Sequence, residues 1–279
     1  MATESVPAAR KNSVMAPATY VGAGVLVGLT AIYWFLSTQM YADVLGDTAY
    51  AMSYWFGTLL QIVFAVVIVT IALRIGLDQG VGKQWLFVGM GVAAFAIGDI
   101  IWTVLELHMG LDPYPSLADP FYVLQYVFFM TAIVLAIRSY QHLTPIRTPV
   151  IIAAAIAIIL GIVVYAALLA PHIFPAGIAE LGFWGLVVST LYPLGDVFFI
   201  LAPALALALI IRQLGAGRLG WPWWVIVVGA VVYSFTDAFY SYADWSGLGL
   251  TVTLDMGWAV ANLMFALAAL VARDVYRVR

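Results

Sequence analysis

The sequence predicts an all-α, polytopic membrane protein of eight transmembrane helices, arranged as two parallel four-helix repeats with both termini cytoplasmic. Three observations predict it. The chain is 65% hydrophobic and only 9% charged over 279 residues, with a mean hydropathy of +1.05, whereas a soluble domain carries roughly 25% charged residues. Runs of about 20 apolar residues, the length that crosses a bilayer, recur along the whole chain. And the eleven Lys and Arg residues sort to one side of those runs.

Residues 1–15 read as a cytosolic tail, since the apolar stretch behind them is too long for a signal peptide and no small-residue cleavage site follows. The first repeat, 16–138, holds spans at 16–38, 50–73, 85–107 and 119–137; the second, 148–273, holds spans at 149–170, 184–211, 222–243 and 254–272. Residues 274–279 form a second cytosolic tail. Pro113, Pro115, Pro145, Pro149, Pro171, Pro175 and Pro222 fall at or near connections, where helix breakers belong. With eight spans, Arg10, Lys11, Arg74, Lys83, Arg138, Arg147, Arg212, Arg218, Arg273, Arg277 and Arg279 share one face, which the positive-inside rule assigns to the cytoplasm. A wrong number of spans would scatter them. The opposite loops carry Asp43, Asp47, Asp112 and Glu180, and most tryptophans sit near span ends as interfacial aromatics do.

The two halves match at a constant shift of 138: Tyr54 with Tyr192, Gly57 with Gly195, Arg74 with Arg212, Trp85 with Trp223, Gly91 with Gly229 and Asp99 with Asp237. After a slip of two residues, Asp119 matches Asp255. Chance alignment of apolar helices yields matched Leu and Val easily, but matched Arg, Trp and Asp poorly. Four helices per unit give both copies the same orientation, hence a parallel repeat.

The acidic residues follow this repeat. Asp99, Trp102, Thr103 and Glu106 lie at i, i+3, i+4 and i+7, on one helix face. Asp237, Tyr240, Ser241 and Asp244 repeat the spacing. Asp119 opens the next span above Tyr122 and Tyr126, Asp255 opens the last one above Trp258 and Asn262, and the sixth span adds Asp196. At about 1.5 Å per residue, Asp99 and Asp196 each lie roughly 24 Å from the cytoplasmic cations, and the other aspartates lie at or beyond that level. An ionised Asp facing lipid costs up to about 2.5–3.5 kcal/mol. The aspartates should therefore face the bundle interior or an outward-open vestibule. No Lys or Arg stands at that level, so some carry a proton, or a cation or polar ligand satisfies them. The competing reading of Asp119 and Asp255 is an N-cap; that of Asp99 and Asp237 is a hydrogen bond fixing helix register; Pro193 and Gly195 beside Asp196 predict a kink; and Glu106 and Asp244 can be simply solvated.

Other chemistries lose support. Without cysteine there are no iron–sulfur clusters or thiolate zinc sites. His108, His142 and His172 do not pair at i, i+4, which argues against a bis-histidine haem, although His108 or His172 can join carboxylates around a metal. Lys11 and Lys83 stand at the cytoplasmic edge, which excludes a retinal Schiff base in the last helix. No phosphate loop, nucleophile elbow or basic nucleic-acid patch occurs. Gly22, Gly24 and Gly28 offer small-residue packing positions for a partner helix.

The motifs Gly-Asp-x-x-Trp (from Gly98), Pro-Ser-x-Ala-Asp-x-Phe-Tyr (from Pro115), Asp-x-x-Tyr (from Asp237) and Leu-Asp-x-Gly-Trp (from Leu254) resemble the N-terminal multi-helix membrane sensor region found ahead of bacterial diguanylate cyclase and phosphodiesterase domains and of some bacterial and archaeal histidine kinases. The resemblance covers mainly residues 95–135 and 230–270. It implies a sensor in the cytoplasmic membrane and points to Asp99, Trp102, Ser116, Asp119, Phe121, Tyr122, Asp237, Tyr240, Asp255 and Trp258. No output domain follows in this sequence, so the expectation is a sensor unit that signals through a cytoplasmic kinase or cyclase, or through another membrane subunit.

The functional expectation is a non-enzymatic sensor or regulatory module. It binds a small ligand or cation at Asp99, Trp102, Thr103, Glu106, Asp119, Tyr122, Asp196, Asp237, Tyr240, Ser241, Asp255 and Trp258. The alternatives are a secondary transporter or proton- or cation-coupled carrier, and a metal-dependent membrane enzyme acting on lipid.

Overall fold

The computed structural model describes residues 15–41, 46–214, 217–248 and 251–276, with the side chains of 39–41, 46–50, 251–253 and 255 left outside that description. The expected tail before Met15, together with Arg10, Lys11, Asp43, Arg277 and Arg279, lies outside the described residues, as do the side chains of Asp47 and Asp255. Among the described residues there are helices and no strands: α1 (Pro17–Tyr41), α2 (Gly46–Ile75), α3 (Gly80–Thr103), α4 (Asp119–Tyr140), α5 (Arg147–Val164), α6 (Phe174–Gly195), α7 (Ala202–Gln213), α8 (Trp221–Trp245) and α9 (Thr251–Val275). Prolines sit in the first turns of α4 and α8, where the missing N–H would have had no helical partner.

Seven helical stretches are long and apolar enough to cross a membrane: Pro17–Thr38, Ala51–Ile75, Gly80–His108, Asp119–Tyr140, Arg147–Gln213, Arg218–Trp245 and Met256–Val275. This is the architecture of a polytopic membrane protein. The outward faces agree, since Ile151, Ile158, Ile159 and Ile162 of α5 are each more than half exposed. A contiguous apolar surface of that kind needs lipid or a partner to cover it.

The fifth stretch departs from the expected pair of separate spans, because no loop separates 149–170 from 184–211. Helix continues through a wide π-helical segment, Tyr165–Ile173, whose looser turn accommodates Pro171. The reversal comes later, at Gly177 (φ 56°) and Gly182 (φ 68°). Only glycine takes such positive φ angles without strain. After it, α7 packs back against α5. Pro193 and Gly195 do interrupt the following helix, as a π turn at Asp196–Leu201.

Neighbouring helices close a ring, α2–α3–α4–α7–α8–α9 and back from α9 to α2, with α1 against α2 and α9 and α5 against α7. Every described Lys and Arg lies at the turns α2–α3, α4–α5 and α7–α8 or at the end of α9. Those turns share one end of the bundle: Tyr140 Oη donates to Leu219 O (3.4 Å), and Thr144 Oγ1 to Gln213 Oε1 (2.5 Å). The start of α1 joins them through Thr19, whose hydroxyl donates to Asp274 (2.6 Å) and accepts from Arg273 (2.6 Å).

Down the centre of the ring, three pairs of aromatic rings meet. Trp85 stacks on Trp223 (5.2 Å between centroids, 24° between planes), Phe129 meets Phe265 edge-on (4.7 Å, 69°), and Phe95 meets Tyr233 edge-on (6.3 Å, 77°). Gly91 and Gly229 let the middle pair in: a Cβ at Gly91 would lie 2.5 Å from the Phe129 ring, and one at Gly229 would lie 2.7 Å from Phe265. Neither ring can retreat without moving the other. Gly91→Ala and Gly229→Ala should therefore each destabilise the fold by about 1–3 kcal/mol, read as a lower unfolding temperature in detergent. An unchanged temperature in both would show that this contact is soft.

Candidate functional site

At the end of the bundle opposite the Lys and Arg turns, a cavity of about 600 Å³ opens between the two halves. It runs from Gln61, Tyr126 and Tyr233 inside the bundle to Asp112 and Asp244, which are exposed. The expected residues Asp99, Trp102, Thr103, Asp119, Tyr122, Asp237, Tyr240, Ser241 and Trp258 all line it. They come from α3, α4, α8 and α9, so positions 159 residues apart in the chain, Asp99 and Trp258, share one wall space.

Three aspartates of the wall each take a hydrogen bond from a tyrosine of a neighbouring helix. Tyr122 Oη donates to Asp99 Oδ1 (3.0 Å), Tyr126 Oη to Asp237 Oδ2 (3.0 Å), and Tyr192 Oη to Asp119 Oδ1 (2.5 Å). A phenol is apolar over its ring and a donor at its tip, so it packs in the bundle and still meets a buried carboxylate. Gly98 makes room for one of these donors, since a Cβ there would lie 2.5 Å from the Tyr122 ring.

The remaining expected residues stand elsewhere. Glu106 faces aside from the cavity. It accepts from Trp102 Nε1 (2.7 Å) and Tyr54 Oη (2.8 Å). The expected i+7 alignment fails there because α3 passes into a π turn, Val104–His108, whose i→i+5 spacing rotates position 106 relative to Asp99. In α8 the α-helix persists to Trp245, and Asp237, Tyr240, Ser241 and Asp244 all reach the cavity. Asp196 is fully buried behind the wall, next to Asp237 and Tyr126. Tyr126 gives its one hydroxyl proton to Asp237, and neither oxygen of Asp196 receives a hydrogen bond. Asp255 falls within α9, with its side chain outside the description.

Asp119 is not an N-cap. Ala118 occupies that position, and the Asp119 carboxylate turns back to accept from the Ser116 N–H (2.6 Å) and from Tyr192. The stronger phenol donor and the loop amide outcompete the helix amides because the connection Gly110–Ala118 folds over the cavity, where Tyr114 Oη and Ser189 Oγ bond at 2.7 Å.

Sequence reasoning missed much of the wall. Tyr33 and Ser37 of α1, Ser53, Tyr54, Thr58 and Gln61 of α2, and Tyr114, Ser189, Tyr192 and Trp245 all belong to it. Two signals were present: Tyr54 and Tyr192 match at the shift of 138, and polar residues at 54, 58 and 61 share one helix face.

His108 and His172 do not join the carboxylates. His108 lies against Trp55 (5.8 Å) and His172 against Tyr242 (6.4 Å). Among the described residues, no three His, Asp or Glu side chains gather as a metal site. Compared with family models, with curated proteins and with solved structures, the chain matches none.

Burial, reinforced by the carboxylates of Asp119, Asp237 and Asp244 and partly offset by the Ser189 hydrogen bond, pushes the Tyr114 hydroxyl up to about 12. An unfolded tyrosine ionises near 10, so the contribution of Tyr114 to stability is complete below about pH 10 and is lost as pH rises toward 12. The difference in tyrosinate absorbance between wild type and Tyr114→Phe should place the step near pH 12; a step at or below pH 10 would show the loop lifted off the cavity. In a second test, Gly98→Ala should displace Tyr122 and mimic Tyr122→Phe in any ligand-binding assay. A wild-type response from Gly98→Ala alone would detach Tyr122 from the site.

Proposed function

We propose that the chain is a sensor or regulatory module of the cytoplasmic membrane, which binds a small ligand or cation in an extracytoplasmic cavity and signals through a cytoplasmic partner. One observation carries the reading: a single cavity collects carboxylates and aromatic rings from both halves of the chain, at the end of the bundle away from the Lys and Arg residues. The positive-inside rule puts the cations, and hence both termini, in the cytoplasm and the cavity outside. The non-helical backbone at Gly177 and Gly182, inside the 67-residue fifth stretch, supports reading that stretch as two passes, eight in all.

The proposed duplication is supported by the central pairs. Trp85 and Trp223, and Phe95 and Tyr233, are 138 residues apart; Phe129 and Phe265 are 136 apart, across the expected slip. Residues that meet their own counterparts lie on a pseudo-twofold axis, and a ligand between the halves can then shift one repeat against the other. Of the residues to which the resemblance to sensor regions points, Asp99, Trp102, Asp119, Tyr122, Asp237, Tyr240 and Trp258 line the cavity, while Ser116 and Phe121 do not and the Asp255 side chain is outside the description.

The chain has no cysteine, so single cysteines report access directly. Ser241→Cys in right-side-out vesicles should react with a membrane-impermeant maleimide, and Gly217→Cys, at the cationic end, should react only after permeabilisation. The reverse pattern, or a silent Ser241→Cys, would refute the outward cavity. Asp99→Asn with Asp237→Asn should abolish the regulatory response while leaving the protein inserted.

A second reading, a proton- or cation-coupled carrier, draws on the polar groups behind the wall. Asp196, Gln125 and Asn262 are fully buried and each has a polar atom without a hydrogen-bond partner, as groups along a transport path would. Flux of protons or cations in proteoliposomes, lost in Asp196→Asn, would decide for it.

A further inference from the structure

Resting on the binding reading above, we infer that the cavity ligand is an organic ammonium ion, a protonated amine carrying an apolar body. Among the described residues, 26 line the cavity: twelve are aromatic, five are Asp and none is Lys, Arg or His, and Leu181 is the one aliphatic side chain. Charge excludes an anion, because no described lining group would balance it. A neutral ligand leaves the carboxylates without a counter-charge in a low-dielectric bundle, where uncompensated charge is most costly. A bare metal ion lacks its cage: the carboxylates stand on separate elements around the wall and no three converge. The volume, about 600 Å³, is that of a small-molecule site.

The orientation of the polar groups narrows the class further. The Trp102 N–H is committed to Glu106, and the hydroxyls of Tyr122, Tyr126 and Tyr192 are committed to Asp99, Asp237 and Asp119. What these residues have left to offer a ligand is their rings. Tyr240 and Trp258 add a further pair, 5.0 Å apart and tilted by 52°. Rings of this kind, backed by carboxylates, attract cations through the ring quadrupole. An independent group points the same way. Gln61 is 3% exposed and lines the cavity, and its Oε1 has no hydrogen-bond partner. An unsatisfied buried acceptor calls for a donor, which a protonated amine supplies and a quaternary ammonium does not.

Three near-isosteric probes test the inference on the full-length protein in detergent: phenethylammonium, 2-phenylethanol and 3-phenylpropionate, followed by calorimetry. Phenethylammonium should bind at least about tenfold more tightly than either of the others. Asp237→Asn and Trp258→Leu should each weaken it by about tenfold, and Gln61→Leu should weaken it as well. Unfolding temperatures identify any variant that fails to fold, and the probe comparison on wild type does not depend on variants. Equal or tighter binding of the alcohol or the carboxylate overturns the inference. So does the absence of phenethylammonium binding up to about 10 mM. Labelling of Ser241→Cys on the same preparation separates the two levels: a labelled cysteine with no preference for the amine removes the ligand class alone, and an unlabelled one removes the cavity reading as well.

Discussion

The structure depends on how carboxylates are accommodated inside an apolar bundle that has no cation beside them. Every described Lys and Arg stands at one end of the molecule, and the aspartates that line the cavity stand toward the other. Salt bridges are thereby excluded at the aspartate level, and tyrosine replaces them. Tyr122, Tyr126 and Tyr192 each donate to one carboxylate across a helix boundary. These bonds tie α4 to α3, α4 to α8, and α6 to the start of α4. The cavity lies among these three tyrosine–aspartate pairs.

The central aromatic pairs do the complementary work nearer the cationic end. Trp85 with Trp223 and Phe129 with Phe265 fill the axis with rings in direct contact, and glycines at 91 and 229 admit them. Toward the other end the helices diverge around Phe95 and Tyr233, and the packing gives way to the cavity. The bundle is filled at one end and open at the other. The helices that line the cavity differ locally. A π turn ends α3 but not α8, which removes Glu106 from the wall and keeps Asp244 in it. Another follows Gly195 and leaves Asp196 behind the wall, without a donor.

Much of this was legible along the chain. Composition and apolar run length determine a multi-helix membrane architecture, because bilayer thickness allows few other uses for runs of twenty apolar residues. Helical periodicity placed Asp99, Trp102 and Thr103 on one face, and Asp237, Tyr240, Ser241 and Asp244 on another, since α-helical spacing is a local property. What periodicity does not carry is where the spacing changes. The α-helix passes into π turns at Val104–His108, Tyr165–Ile173 and Asp196–Leu201, and so Glu106, Asp196 and the stretch near Pro171–Pro175 stand differently from the positions expected of them.

The sequence by itself determined the helices, their apolar faces, the segregation of the cations and the set of acids that need shelter; all of these follow from local chemistry and the bilayer. Only the tertiary structure decided which tyrosine serves which aspartate, that Asp119 turns away from capping its helix, and that α1 and α2 supply Tyr33, Ser37, Thr58 and Gln61 to the wall. The reason is physical: a hydrogen bond between helices, and a void among seven of them, depend on relative positions in space that no single stretch of chain encodes.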